Sequence, residues 1–236
     1  MAPSGRGAVR RVGAAALALG LAFAAAAARA AAEPAESPWA RSDEAQVRLV
    51  SAVTGTGEAG AFRAGLQFEL QPGWKTYWRS PGDAGLPVTV DWTGSENLAG
   101  ADMAWPAPHR FSLFGLDTFG YEREVVFPLA ITAERPAAPV RLKAHVSYLV
   151  CKEICVPHTA DLDLSVPGGP AAPSPHLQLI DRYLSQVPGD GAAHGLGLDS
   201  VAIGGAAAAP VLEVVARSAL PFQRPDLIVE GPPGLH

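Results

Sequence analysis

Only two cysteines occur in the 236 residues, and both lie in one stretch, Ser147-Tyr148-Leu149-Val150-Cys151-Lys152-Glu153-Ile154-Cys155-Val156-Pro157. Two thiols this close can exchange with other disulfides, staple the chain or ligate a soft metal. The spacing restricts the geometry. Residues four apart in a continuous strand stand roughly 13 Å from each other, whereas a disulfide needs Cα atoms within about 7 Å. The chain must therefore turn, and a hairpin with Lys152-Glu153-Ile154 as its loop sets Cys151 opposite Cys155 at an exposed tip. So small a ring removes little entropy from the unfolded chain, and as a staple it is nearly redundant. A short, exposed and strained bridge is instead easily reduced and open to an incoming thiolate. Lys152 favours a thiolate beside it, and Glu153 opposes that effect.

The elements that must position this pair read as β structure from residue 45 to 166, with short alternating runs between Gly, Pro and Asp/Asn turn signals. The expected strands are Gln46 to Ala52, Ala61 to Leu70, Leu86 to Trp92, Glu124 to Ala133, Val140 to Val150 and Val156 to Val166. The last two alternate most cleanly, with Leu142, Ala144, Val146, Tyr148 and Val150 on one face and Ala160, Leu162, Leu164 and Val166 on one face of the next. Such strands suit two antiparallel sheets packed face to face. Trp74, Trp78, Trp92 and Trp105 concentrate large apolar surface in the same region. The Pro/Gly-rich run 167–175 reads as a linker. Ser174 as N-cap and Pro175 at the first helical position then open a short helix with Leu177, Ile180, Leu184 and Val187 on one stripe. Leu198 to Ile203, Val211 to Arg217 and Asp226 to Glu230 read as strands of a second β domain, expected to be cut off at the end of the chain because three strands make a poor core alone.

Residues 1–30 read as a secretory signal: Arg6, Arg10 and Arg11, then an apolar run from Gly13 to Ala27, then Ala28-Arg29-Ala30. The run is shorter than the roughly 20 residues a bilayer requires, so a removed signal and a periplasmic chain are expected, with residues 31–44 as an extension before the sandwich. Without its first thirty residues the chain carries 14 basic and 23 acidic side chains, a formal charge of −9. That balance argues against nucleic acid as a partner.

Three blocks, Pro72-Gly73-Trp74-Lys75-Thr76-Tyr77-Trp78-Arg79, Trp105-Pro106 through Phe119-Gly120-Tyr121-Glu122, and the cysteine stretch Tyr148 to Pro157, occur in an order and at separations that resemble the amino-terminal periplasmic domain of the DsbD and ScsB-like protein-disulfide reductases. The likeness runs from about Glu44 to Val166. It implies an immunoglobulin-like sandwich whose cysteine pair is covered at rest by an aromatic cap from the segment Phe111 to Tyr121, with Phe119-Gly120-Tyr121 the best match and Phe114-Gly115 a second placement. Plain core packing is the other reading of these phenylalanines. Tyr77 and Trp78 are expected to line the same end. The resemblance also implies a role: electrons arrive through a membrane electron-transfer domain and a thioredoxin-like donor, and pass to oxidised periplasmic thioredoxin-fold proteins, with no cofactor beyond the redox-active disulfide. By position, Cys155 is the sulfur that partners attack and Cys151 the resolving thiol. Three residues separate the cysteines here, against five in the enterobacterial proteins.

Two other readings stand beside this one. A copper protein could use Cys151, Cys155 and His158 as soft ligands; copper chaperones of the Sco type carry Cys-x3-Cys before a proline, but their pair opens a helix, whereas Thr159 to Val166 alternates as a strand. An inert structural bridge is the third. The remaining histidines, His109, His145, His176, His194 and His236, are scattered, and no nucleophile elbow, phosphate loop or zinc-protease motif is present.

Overall fold

The computed structural model describes residues 35–113, 115–192, 195–223 and 225–230. The expected signal segment and Phe114 lie outside the described residues.

In chain order the strands are β1 (Ala40–Arg41), β2 (Ala45–Ser51), β3 (Ala61–Leu70), β4 (Lys75–Gly82), β5 (Thr89–Asp91), β6 (Leu98–Met103), β7 (His109–Leu113), β8 (Leu116–Glu122), β9 (Glu124–Ala133), β10 (Val140–Cys151) and β11 (Cys155–Val166). Helix α1 (Leu177–Leu184) follows, then β12 (Gly197–Ala206) and β13 (Ala209–Arg217). One sheet runs β1-β2-β3-β9-β6, the other β11-β10-β4-β8-β7 with β5 also on β10, and every pairing is antiparallel. This is the immunoglobulin-like sandwich anticipated from the sequence.

The alternation of β10 and β11 becomes the inner face of the second sheet. Leu142, Val146, Val150, Leu164 and Val166 are all at most 2% exposed. They meet Leu49, Leu66, Phe68, Phe127 and Ile131 from the first sheet in one core cluster. Phe68 sits edge-on to both Phe127 and Tyr148, with ring centres 5.8 and 5.0 Å apart, the geometry aromatic quadrupoles prefer. The β10–β11 ladder is unbroken from Val140↔Val166 to Cys151↔Cys155. That continuity fixes which way each cysteine faces, because a slip of one residue would turn every side chain to the other face.

The Pro/Gly run 167–175 is docked rather than free. Thr54 N–H bonds the Ala172 carbonyl at 2.9 Å, Ser174 N–H bonds the Ala52 carbonyl at 2.9 Å, and the Ser174 hydroxyl donates to the Ser51 carbonyl. The helix then lies on the outer face of the first sheet, where Ile180 is fully buried with Val50, Ala52 and Val126. It therefore packs on the sandwich. It also starts later than the sequence suggests: His176 is the N-cap position, without a side-chain bond, while Ser174 accepts the His176 N–H at 3.0 Å. Ser174 was already engaged by the sheet, so the helix begins beyond it.

Strands β12 and β13 form a two-stranded sheet of their own, with Leu198, Val201, Ile203 and Val211 exposed. Asp226 to Glu230, expected as a strand, forms none. Arg110 and Arg79 hold it instead, through Asp226 at 2.9 Å and Glu230 at 2.7 Å, and Ile228 packs against the core cluster. Among the described residues no helix is long and apolar enough to cross a membrane.

Candidate active site

The cysteines occupy the last rung of the β10–β11 ladder and are joined as a disulfide. Their Cα atoms are 4.1 Å apart. That separation belongs to a non-hydrogen-bonded antiparallel pair, about 4.5 Å, and not to the hydrogen-bonded kind at about 5.5 Å. The next pair inward along the loop obeys the alternation, since Lys152 N–H bonds the Ile154 carbonyl at 3.0 Å. Pro157 fits it from the other side: two residues on from Cys155, it needs no inward N–H.

The two sulfurs differ in setting because their strands do. β10 is interior, with β11 on one side and β4 on the other through Cys151↔Lys75, and Cys151 is 3% exposed. β11 is an edge strand, and Cys155 is exposed. Lys152, Glu153 and Ile154 are exposed as well, Ile154 at 67%. One end of the disulfide thus faces solvent and the other faces protein.

The first block of the resemblance acquires a physical reason here. Gly73 has φ +86°, a conformation that favours glycine, and an added Cβ would come within 2.9 Å of Lys152 Cε. The tight Gln71–Trp74 turn, closed by Trp74 N–H to the Gln71 carbonyl at 3.0 Å, thus gives the loop lysine room to lie across it. Thr76 then ties β4 to β10 through its hydroxyl and the Leu149 carbonyl at 3.1 Å. Lys75 turns toward the β7–β8 hairpin, its ammonium 3.3 Å from the Thr118 hydroxyl and 4.9 Å from the centre of the Phe111 ring. Partial burial lowers its pKa.

Tyr77 is 2% exposed and lies two residues along β4 from Lys75, beneath Gly85, where any side chain would overlap its ring. Trp78 faces the core, with the Arg79 guanidinium 4.6 Å above its ring. The segment expected to form a cap, Phe111 to Tyr121, lies in the β7–β8 hairpin. Phe119 and Tyr121 are core residues at 8% and 4% exposure. Arg110 lies 4.8 Å over Phe119, and the Tyr121 hydroxyl donates to the Pro106 carbonyl at 2.8 Å. Gly120 pairs with Tyr77 where a Cβ would overlap the Thr76 carbonyl oxygen, so only glycine lets β8 and β4 come together. In the register, Glu122 shares the row of Lys75 and Cys151, whereas Leu116 begins β8 six residues away.

His158 does not join the cysteines. Its ring stacks on Tyr148 at 5.4 Å, and Nε2 lies 3.0 Å from a Glu44 carboxylate oxygen, an ion-pair distance without hydrogen-bond alignment. Among the described residues no cluster of three or more His, Cys, Asp or Glu is arranged to hold a metal ion. Sequence reasoning missed Lys75 as the neighbour of Cys151, because Ser80-Pro81-Gly82 at the end of β4 hides the strand. The Pro-Gly-Trp block was the available signal.

A family model described as the N-terminal domain of thiol:disulfide interchange protein DsbD matches residues 44–167. The chain belongs to the DsbD N-terminal domain family. This DsbD-type domain is also similar to the crystal structure of the N-terminal periplasmic domain of ScsB from Proteus mirabilis: 25% identity, a TM-score of 0.67, and coverage of 86% of this chain and 77% of that one. The ScsB likeness thus reaches beyond the residues of the family match. Two further structures match at lower similarity. The reduced DsbD N-terminal domain of Neisseria meningitidis has 16% identity, a TM-score of 0.30 and coverage of 54% of this chain and 90% of that one. The complex between the DsbD and PilB N-terminal domains from the same organism has 15% identity, a TM-score of 0.27 and coverage of 53% and 88%. No curated protein sequence matches significantly. Family membership and the disulfide together support thiol:disulfide interchange as the general chemistry of this DsbD-type domain.

Proposed function

We propose that the chain is a periplasmic electron carrier that reduces oxidised proteins through Cys155, with Cys151 as the resolving thiol. The observation that carries this reading is the unequal exposure of the pair, Cys155 open on the edge strand and Cys151 3% exposed within the sheet. In recharging, a thiolate of a thioredoxin-like donor, itself fed by a membrane electron-transfer domain, attacks Cys155 Sγ; a donor–Cys155 disulfide forms, the Cys151–Cys155 bond breaks, and Cys151 leaves as a thiolate. The donor's second thiolate then takes the donor sulfur back, leaving two reduced cysteines and an oxidised donor. In discharge, the Cys155 thiolate attacks a disulfide of a periplasmic thioredoxin-fold protein, and Cys151 resolves the mixed disulfide. The substrate gains two electrons and two protons, and the intramolecular bond returns. No cofactor takes part. Lys152, next to Cys151 in the loop, favours the thiolate form, and Glu153 opposes it.

The cap inferred from the resemblance belongs in this reading to the β7–β8 hairpin, anchored by Phe119, Gly120 and Tyr121. Tyr77 supports the sheet beside Cys151.

The test is the equilibrium potential of the pair, read by thiol trapping in a dithiothreitol or glutathione series, combined with single-cysteine variants. A potential of roughly −180 to −270 mV, with Cys151→Ala accumulating a mixed disulfide and Cys155→Ala none, is expected. A potential well below about −300 mV with no trapped species leaves an inert bridge.

A further inference from the structure

Cys151 stands in a row of four residues that crosses the sheet: Cys155 on β11, Cys151 on β10, Lys75 on β4 and Glu122 on β8. Residues directly opposite one another on neighbouring strands share a face, so Lys75 and Cys151 lie on the same side of the sheet. Because Cys151↔Cys155 is a non-hydrogen-bonded pair, the backbone of Cys151 turns toward β4, and Cys151↔Lys75 is of the hydrogen-bonded kind, with Cα atoms about 5.5 Å apart. It is the one rung between these two strands among the described residues.

Lys75 is half-buried, yet among the described residues no carboxylate pairs with it. Its ammonium rests on two neutral groups, the Thr118 hydroxyl and the Phe111 ring. Burial lowers its pKa, and no nearby anion offsets that. A cation partly withdrawn from water costs free energy unless something compensates it, and a disulfide, being neutral, does not. The other charged groups about the pair sit elsewhere. Glu122, Lys152 and Glu153 are exposed, Lys152 lies over the turn at Gly73, and His158 meets Glu44 on the opposite face of β11.

Reduction changes this balance. Cys151 is 3% exposed, so its thiolate requires a counter-charge from the protein more than from water. Facing residues have Cβ atoms about 4.5–5.5 Å apart, and the flexible stem of a lysine lets its ammonium swing from Thr118 to the sulfur.

We propose that Lys75 is the counter-ion of the Cys151 thiolate, leaving Thr118 for the sulfur when the disulfide opens. The proposal rests on the exchange reading above and adds to it the group that serves Cys151 in both of its roles. In recharging, the electron pair of the breaking S–S bond ends on Cys151, and the ammonium stabilises it there, which speeds its departure. In discharge, the same ammonium keeps Cys151 deprotonated for its attack on the Cys155 sulfur of the mixed disulfide. The intramolecular bond forms, the partner's sulfur leaves with the electron pair and takes its proton from solvent, and Lys75 keeps its own protons throughout.

The probe is dithiobis(nitrobenzoate), mixed with the reduced full chain. Cys155 attacks it and releases one thionitrobenzoate; Cys151 then attacks the Cys155 sulfur and releases the second, in a phase whose rate is independent of probe concentration. Lys75→Gln is expected to move the midpoint of the second phase's pH profile up by about one unit. At neutral pH it should slow that phase by about threefold, because the smaller thiolate fraction is partly offset by the greater nucleophilicity of a more basic sulfur. The first phase should move little, and Lys75→Arg, which keeps the charge, should keep the profile of the unaltered chain. An unmoved second phase in Lys75→Gln, or an equal shift in both variants, would overturn the counter-ion proposal while leaving exchange intact. Absence of the second release from the unaltered chain would overturn the exchange reading itself.

Discussion

At the scale of single residues, the site depends on where glycine and tyrosine allow strands to meet. Gly120→Ala would force β8 off the Thr76 carbonyl, and overpacking of this kind costs about 1–3 kcal/mol. Urea denaturation should show that loss with the slope unchanged. Burial pushes the phenols of Tyr148 and Tyr183 each up to about 12 from 10.0. A phenol that ionises less readily folded than unfolded contributes stability that is fully present below pH 10 and lost as the pH rises through about 12. Denaturation midpoints measured from neutral pH upward should therefore stay level to pH 10 and then fall, and Tyr148→Phe should make the fall shallower. The cysteines and their opposed placement were legible from spacing alone, because four residues cannot bridge without a turn. Which sulfur is shielded was not legible from spacing, since it depends on β4 lying beside β10, and β4 is brought there by residues some seventy positions earlier.

At the scale of elements, legibility followed alternation. Ala61–Leu70 and Glu124–Ala133 form as the pattern indicates, and β10 and β11 are each one residue longer than expected. β4, β6, β7 and β8 were not anticipated, because their residues include Gly, Pro and Asp and bury mixed faces. At 167–175 proline and glycine prevent a continuous ladder, yet the carbonyls of Pro167, Gly169 and Ala172 accept bonds from the backbone N–H groups of Thr56, Gly57 and Thr54. The segment should therefore resist limited proteolysis in the native chain, and early cleavage between residues 167 and 175 would contradict the docking. Ile180→Ala empties a fully buried position between α1 and the sheet and is expected to cost about 2–5 kcal/mol in a denaturant melt. It should also expose 167–175 to protease.

At the scale of the whole molecule, the disulfide contributes little to holding the fold. The sandwich core is built without the cysteines, although it reaches Val150 beside them, and the ring spans only four residues of separation. Reduction should lower the unfolding free energy by at most about 2 kcal/mol and leave far-ultraviolet circular dichroism unchanged; unfolding on reduction would mark the bridge as a staple. The unbroken ladder has a further consequence, which concerns parity. Side chains on facing strands stay opposed only if the loop between them changes length by an even number of residues. Adding two residues between Cys151 and Cys155 preserves both the facing pair and the exposed face of Cys155, whereas adding one requires a bulge or turns a cysteine into the core. The three-residue spacing here and the five-residue spacing of the enterobacterial proteins differ by such a step. Loop length in this fold is therefore free to vary in twos, altering what surrounds the exposed sulfur without changing which sulfur it is.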